Sequence, residues 1–356
     1  YEITTRLVGS EMCIRDSDYS EGAHADILRR MAETNMEQTA GYGEDPYCDQ
    51  ARKLIAGLCG RTDLDIHFLI GGTQTNFTVI AAALRPHQCV LCADTGHINV
   101  HESGAVEACG HKVSAIPSPD GKLTARQIEE AWHAHWDDET REHMPQPRMV
   151  YISQPTELGT IYSRKELQEI SGVCRRRGLY LYMDGARLGY GLCDEDNDLD
   201  LPAIASLCDA FYIGGTKVGA LFGEALVLRH EALKEDFRYI AKQKGGRLAK
   251  GRLLGIQFLE LFRDGLYFRL GAHADRLAVM LRDFCRSRGL SLPFSSGTNQ
   301  QFVTMPDSVL EELGRKYGFA YLRREDETHS TVRFCMSWAT REEDVRELMA
   351  DIARLC

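Results

Sequence analysis

Little in this chain favours a polyanion or a bilayer. Its 42 lysines and arginines are outnumbered by 52 aspartates and glutamates, a formal net charge of −10, so it has no basic field for nucleic acid or an anionic membrane. The longest apolar stretches, such as Phe77 to Leu84 broken by Thr78, fall far short of the ~20 residues that span a bilayer. Internal repeats, low-complexity tracts and long linkers are also lacking. The first 17 residues hold no apolar stretch long enough for a signal peptide and no periodicity. Residues 1–17 read as an extraneous segment resembling translated adapter sequence, which puts the genuine beginning near Asp18.

The twelve cysteines follow no repeating pattern. In a chain of this length they read as buried hydrophobes or free thiols in a reducing compartment, and a cytoplasmic location is expected. Cys89-Val90-Leu91-Cys92 matches C-x-x-C, but its apolar middle reads as a strand, where positions i and i+3 face opposite ways. With no second pair present, core packing is preferred there over a redox or zinc role.

What the chain does have is alternation. From about residue 66, short apolar runs bounded by Gly, Pro, Asp or Ser alternate with helical patterns, the mark of an α/β fold with a mostly parallel sheet and crossover helices. Seven strands are expected: 67–70, 89–93, 112–116, 149–153, 179–183, 210–213 and 225–228. A helix over 163–177 starts at the capping box Ser163-x-x-Glu166. After about residue 240 the glycines thin out and long helical patterns take over, at 254–263 and 272–288, followed by a strand at 332–336 and a last helix. The capping box Thr340-x-x-Glu343 is expected to open that helix, with Val345, Leu348, Ile352 and Leu355 on its apolar face. The expected division is an N-terminal arm and large domain over 18–240 and a small α+β domain over 241–356.

In an open α/β sheet ligands gather beyond the carboxyl ends of the strands, and four motifs stand there. Gly71-Gly72-Thr73 follows the first strand and opens a helix. Backbone N–H groups of Gly72 and Thr73 can meet a phosphate there, or the turn is a plain strand-to-helix link with Thr73 as cap. The loop is neither G-x-x-x-x-G-K-[ST] nor G-x-G-x-x-G, which counts against an NTPase and a dinucleotide enzyme. His97 follows the second strand and can lay its ring on a planar cofactor. With His101 at i+4 it can instead ligate a metal, a reading weakened by the lack of H-E-x-x-H order and of a third ligand. Asp184 ends a strand and Arg187 follows three positions later, which suits a partner for a ring nitrogen or a local ion pair. Lys217 lies 33 positions beyond Asp184 in Gly214-Gly215-Thr216-Lys217-Val218-Gly219, where it has little to pack against and reads as a reactive amine.

Together these strings resemble the β-eliminating lyases of fold type I that depend on pyridoxal 5'-phosphate, and among them the low-specificity L-threonine aldolases. The resemblance covers roughly residues 18–356. It rests on Gly41-Tyr42-Gly43-Glu44-Asp45-Pro46, Gly72-Thr73, His97-Ile98 with Glu102 and Gly104-Ala105, Asp184-Gly185-Ala186-Arg187, and the Lys217 loop. It implies pyridoxal phosphate carried by Lys217 as a Schiff base, Asp184 on the pyridine nitrogen, His97 stacked on the ring and Arg187 at a cofactor oxygen. It also implies Gln154 hydrogen-bonded near the cofactor, Arg333 on the substrate carboxylate, and a homodimer or homotetramer in which Tyr42 enters a neighbour's site.

The activity implied is cleavage of a β-hydroxy-α-amino acid to glycine and an aldehyde. Alternatives are another fold type I reaction, transamination or β-elimination, or a noncatalytic pyridoxal-phosphate binder. One departure matters. Where the aldolases read Glu-Asn-Thr-His, this chain reads Ser153-Gln154-Pro155-Thr156-Glu157, so the histidine serving the substrate hydroxyl is missing. His97, a water or another group must then accept that proton. The arginine that the family contributes to the phosphate is not evident in the segment 245–250, where Lys250 is the candidate.

Overall fold

The computed structural model describes residues 17–356. The expected strands are all present, their ends within three residues of the sequence reading: β1 (Asp65–Leu69), β2 (Gln88–Ala93), β3 (Lys112–Ile116), β4 (Gln146–Ser153), β5 (Tyr180–Asp184), β6 (Ala210–Gly214) and β7 (Glu224–Leu228). They form one sheet in the order β1-β7-β6-β5-β4-β2-β3. Neighbours run parallel except at β7, which is antiparallel to both β6 and β1.

The central strands read as continuous apolar runs because both faces are covered. Alternation then splits each strand between two cores. Leu181 and Met183 of β5 and Phe211 and Ile213 of β6 point into one, while Tyr182 and Tyr212 join Tyr151 of β4 in the other. Full burial of a side chain such as Phe211 or Ile213 stabilises the fold by roughly 1.5–3 kcal/mol. Cys92 belongs to the second core, and burial pushes its thiol up to about 12. Cys89 is also buried, its Sγ 3.6 Å from the Pro145 carbonyl oxygen. All eleven described cysteines are free thiols.

The helix Arg164–Arg177 has both halves of its expected capping box, and Gly178, at φ 65°, closes it. The final helix differs from expectation. It spans Glu342–Leu355 with Arg341 as the residue before it and no side-chain cap. Thr340 cannot cap because its hydroxyl accepts the Ser337 N–H at 2.8 Å inside the preceding turn. Val345, Leu348 and Ile352 are buried as expected.

The C-terminal part holds a three-stranded antiparallel sheet of β8 (Gln300–Pro306), β9 (Ala320–Arg324) and β10 (His329–Cys335), in the order β8-β10-β9. The long helix Leu266–Ser287 joins this sheet to the large one, since Leu277 and Leu281 share a core with Val303 and Phe334. The helix Arg252–Arg263 lies against Pro46–Leu58. A Cβ on Gly255 would come within 2.5 Å of the Cys48 backbone nitrogen, so only glycine permits that approach. Among the described residues no helix is long and apolar enough to cross a membrane.

Candidate active site

The carboxyl ends of the parallel strands share one edge of the sheet, and reversed β7 starts at that edge. The register aligns Leu69 with Glu224, Glu224 with Gly214, and Ser153 with Asp184. A cavity of about 230 Å³ opens there, lined by Gly72, Thr73, His97, Asp184, Arg187 and Lys217 together with Glu157 and Glu224. A second chamber of about 580 Å³ adjoins it, with His97, Glu157, Arg187 and Lys217 common to both. Arg333 lines the second chamber and donates from Nη1 to Gln300 Oε1 at 3.1 Å.

Asp184 is buried and accepts four hydrogen bonds. Tyr212 Oη and the Ala186 N–H donate to Oδ1 at 2.5 and 2.9 Å, and Tyr151 Oη and Asn76 Nδ2 donate to Oδ2 at 2.6 and 2.9 Å. Burial alone would raise its pKa, but His97 and these donors outweigh that and lower it. The result is a fixed negative charge on the cavity floor.

His97 is oriented by a second carboxylate. Its Nδ1 donates to Glu102 Oε1 at 2.8 Å, so the imidazole carries its proton on that side. Glu102 also accepts Asn76 Nδ2 at 2.7 Å, and Tyr182 Oη donates to Asn76 Oδ1 at 2.8 Å. Asn76 therefore links the carboxylates of Glu102 and Asp184. His97 and His101 rings lie 5.5 Å apart, but among the described residues no group of three or more His, Cys, Asp or Glu side chains is arranged to hold a metal ion.

Opposite Asp184, the helix Gly72–Ala83 begins at Gly71 without a side-chain cap. Thr73 lies inside the first turn and is not the capping residue. Gly71, Gly72 and Thr73 line the cavity, and since the first N–H groups of a helix have no partner within it, a dianion bound there can satisfy them. Lys217 follows β6 by three residues, in a loop closed by Glu224. Glu224 accepts the Gly215 N–H at 3.1 Å and the Thr216 hydroxyl at 2.8 Å. Burial, reinforced by the charge of Arg187, lowers the pKa of Lys217, which favours a neutral, nucleophilic amine. Burial also pushes Glu224 up to about 8.

Arg187 pairs with a carboxylate 169 positions before it. Asp18, fully buried, takes its Nε and Nη2 at 2.7 and 3.0 Å and accepts Asn299 Nδ2 at 2.8 Å. Burial acts to raise the Asp18 pKa, but Arg187 and Lys217 overcome it and hold it at about 2. Ser17 is also buried, its hydroxyl 3.1 Å from Ser20 Oγ, whereas residues 1–16 of the adapter-like segment lie outside the described residues.

Two expected residues stand away from the cavity. Gln154 is buried with its amide turned to Tyr162, whose N–H it accepts at 2.8 Å and whose carbonyl it meets at 3.3 Å, so it braces the turn after β4. Tyr42 is 46% exposed and lines a separate cleft with Arg52, Arg238 and Arg247. From the segment 245–250, Arg247 rather than Lys250 enters that cleft, donating to the Tyr42 carbonyl at 2.8 Å. Thr156 lines neither cavity, since its hydroxyl lies 2.7 Å from Thr160 Oγ1. The sequence assigned no role to Asn76, Tyr151, Glu157, Tyr212 or Glu224, and pointed to Asp18 only as the start of a segment expected to reach the substrate carboxylate. Asn76 lies in the polar first half of its helix, after Thr73, Gln74 and Thr75, so nothing local set it apart.

The donor set fits pyridoxal phosphate: an anion for its ring nitrogen, an uncapped helix start for its phosphate and an amine for its carbonyl. With the mixed seven-stranded sheet, this defines a pyridoxal-phosphate enzyme of fold type I. Residues 16–308 match the family model of the β-eliminating lyases. The chain is 33% identical over 347 residues to a low specificity L-threonine aldolase of a Pseudomonas species, covering 94% of this chain and 96% of that one. A threonine aldolase structure from Leishmania major superposes with a TM-score of 0.93 at 45% identity, covering 96% of this chain and 98% of the other. An aspartate aminotransferase of Thermus thermophilus, at 15% identity and a TM-score of 0.70 over 98% of this chain and 92% of its own, shares the fold. The chain belongs to the β-eliminating lyase family, alongside its threonine aldolases.

Proposed function

We propose that this enzyme is a carbon–carbon lyase that splits a threonine-like β-hydroxy-α-amino acid into glycine and an aldehyde. The observation that carries this reading is the meeting of Lys217, Asp184 and an uncapped helix start in one cavity that opens to a chamber holding Arg333. The 33% and 45% identities to threonine aldolases over nearly the whole chain support it.

Pyridoxal phosphate, when bound, supplies a carbonyl for the amino group and a sink for the electrons of the broken bond. The chain's own residues do the rest. Gly72 and Thr73 offer backbone N–H groups to the phosphate, and Asp184 holds a proton on the ring nitrogen through its negative charge. His97, its orientation fixed by Glu102, would offer its imidazole to the cofactor's ring. Lys217 would hold the cofactor's carbonyl carbon, and the burial that lowers its pKa keeps the amine neutral and able to do so. Arg333 presents a forked guanidinium to the substrate carboxylate, and Arg187, steadied by Asp18, adds positive charge between the two chambers.

A homodimer or homotetramer in a cytoplasmic setting belongs to this reading. It is supported by the free thiols and by Tyr42, 46% exposed in the cleft that carries Arg238 and Arg247.

Incubating the purified protein with pyridoxal phosphate and L-threonine, L-allo-threonine, phenylserine or keto acids tests the reading. Glycine and an aldehyde are expected, with loss of the visible absorbance of the lysine-bound cofactor in Lys217→Ala. A new amino acid formed from a keto acid, without glycine, would refute it in favour of transamination.

A further inference from the structure

The missing histidine leaves the substrate hydroxyl without an assigned base, and Thr156 does not supply one. Its hydroxyl is spent on Thr160 and packs beneath Gly121, where a Cβ would come within 3.0 Å of it. One position later the chain carries a carboxyl that reaches both chambers. Both of its hydrogen bonds fall on one oxygen: Glu157 Oε1 accepts the Ser153 hydroxyl at 2.7 Å and the His97 backbone N–H at 2.9 Å. No hydrogen bond to Oε2 is found among the described residues.

A carboxyl pinned by one oxygen and open at the other, on the wall shared by the cofactor cavity and the chamber of Arg333, has the geometry of a general base. We propose that Glu157 Oε2 takes the proton from the substrate β-hydroxyl during carbon–carbon cleavage and returns it in the reverse reaction. This rests on the aldolase reading above.

The step balances without an oxidant or reductant. The O–H bond breaks onto Oε2, the freed oxygen pair becomes the second bond of the aldehyde carbonyl, and the Cα–Cβ bond breaks with its electron pair left on the amino-acid fragment. The proton lost from the hydroxyl is matched by the one that Cα takes up to give glycine.

The environment suits the task. Burial, with the charge of Asp184, raises the Glu157 pKa above the ordinary carboxylate range, against the opposing pull of Ser153 and His97. Asp94, Glu224, Arg187, Lys217 and Arg333 are the other charged groups that line the chambers beside it, together with the imidazoles of His97 and His101. A base must be ionised, so cleavage should rise with pH through the titration of Glu157 and be lost below it.

The test compares the wild-type holoenzyme with Glu157→Gln and Glu157→Asp in glycine release from L-threonine across pH, and in exchange of the glycine α-hydrogen with deuterated water, which needs no hydroxyl base. Cleavage by Glu157→Gln should fall ~10²–10⁴-fold and lose its acid limb. Its cofactor absorbance and α-hydrogen exchange should stay within about threefold of wild type, and Glu157→Asp should recover part of the rate with the limb displaced. Cleavage by Glu157→Gln within about threefold of wild type overturns the proposal, as does exchange that falls in step with cleavage or an acid limb retained at the lowered rate. Should Glu157→Gln fail to fold, an unmoved limb in Glu157→Asp overturns it equally. A wild type that exchanges the glycine α-hydrogen but releases no glycine from any β-hydroxy amino acid instead defeats the aldolase reading.

Discussion

Replacing Asp18 with asparagine keeps the shape of the side chain and removes its charge, leaving the largely buried Arg187 guanidinium, 11% exposed, without its counterion. The Asp18 pKa falls from an ordinary 3.8 to about 2, an interval worth about 2 kcal/mol for a group with no solvent to screen it. Leaving one member of a buried pair uncompensated brings the cost to about 3–5 kcal/mol. With an unfolding entropy of about 2.1 cal/mol/K per residue, the described residues contribute roughly 0.7 kcal/mol/K. The melting temperature should therefore fall by about 4–7 °C at neutral pH. The sign with pH follows from the depressed folded value. The stabilisation is complete above 3.8 and is lost as pH falls through about 2, so about half the titrating part remains at about pH 3. Thermal unfolding of both proteins followed by circular dichroism between about pH 7 and about pH 3 should show the gap narrowing on the acid side. A drop of under about 1 °C at neutral pH, or a gap that stays constant to about pH 3, would refute the reasoning.

Three further outcomes are expected. Glu102→Gln weakens the hydrogen bond that orients His97, and loss of a charge-assisted bond of about 1.5–3 kcal/mol should lower kcat by ~10- to 100-fold with cofactor absorbance kept, measured by steady-state kinetics. Gly219→Ala puts a side chain at φ 92° and a Cβ 2.4 Å from Leu270 Cδ1, beside Lys217. It should cost roughly 1–3 kcal/mol, read as a lower melting temperature together with weaker cofactor uptake. Glu224→Gln concerns a carboxyl whose folded pKa, about 8, lies above its ordinary 4.5. Ionisation of Glu224 opposes folding increasingly as pH rises between those values, so the apo variant should match wild type near the lower value and melt above it past the upper one.

The sheet was legible because each of its strands is a short apolar run closed by a turn residue, a pattern that survives whatever packs against it. Lys217, Asp184 and His97 meet at one cavity for a related reason: each ends or follows a strand at the edge where ligands collect. Glu157 was not legible, because its role depends on the turn that aims Thr156 inward, and the same turn spends Gln154 on Tyr162. Glu224 was hidden by the reversal of β7, since only an antiparallel strand brings its first residue to the catalytic edge. The failed cap at Thr340 shows local competition: a hydroxyl that can serve a turn or a helix served the turn.

The carboxylate of Asp18 ties together Arg187, 169 positions away, and Asn299, 281 positions away. A ribosome adding ~5–20 residues per second places Asn299 roughly 15–55 s after Asp18. Arg187 is available to the carboxylate before that, but the third member of the group is not. The strands of the large sheet are synthesised within that interval, but the knot that sets charge around the lysine closes only when the C-terminal part arrives. Completion of this charged group is therefore a late event in the life of the chain.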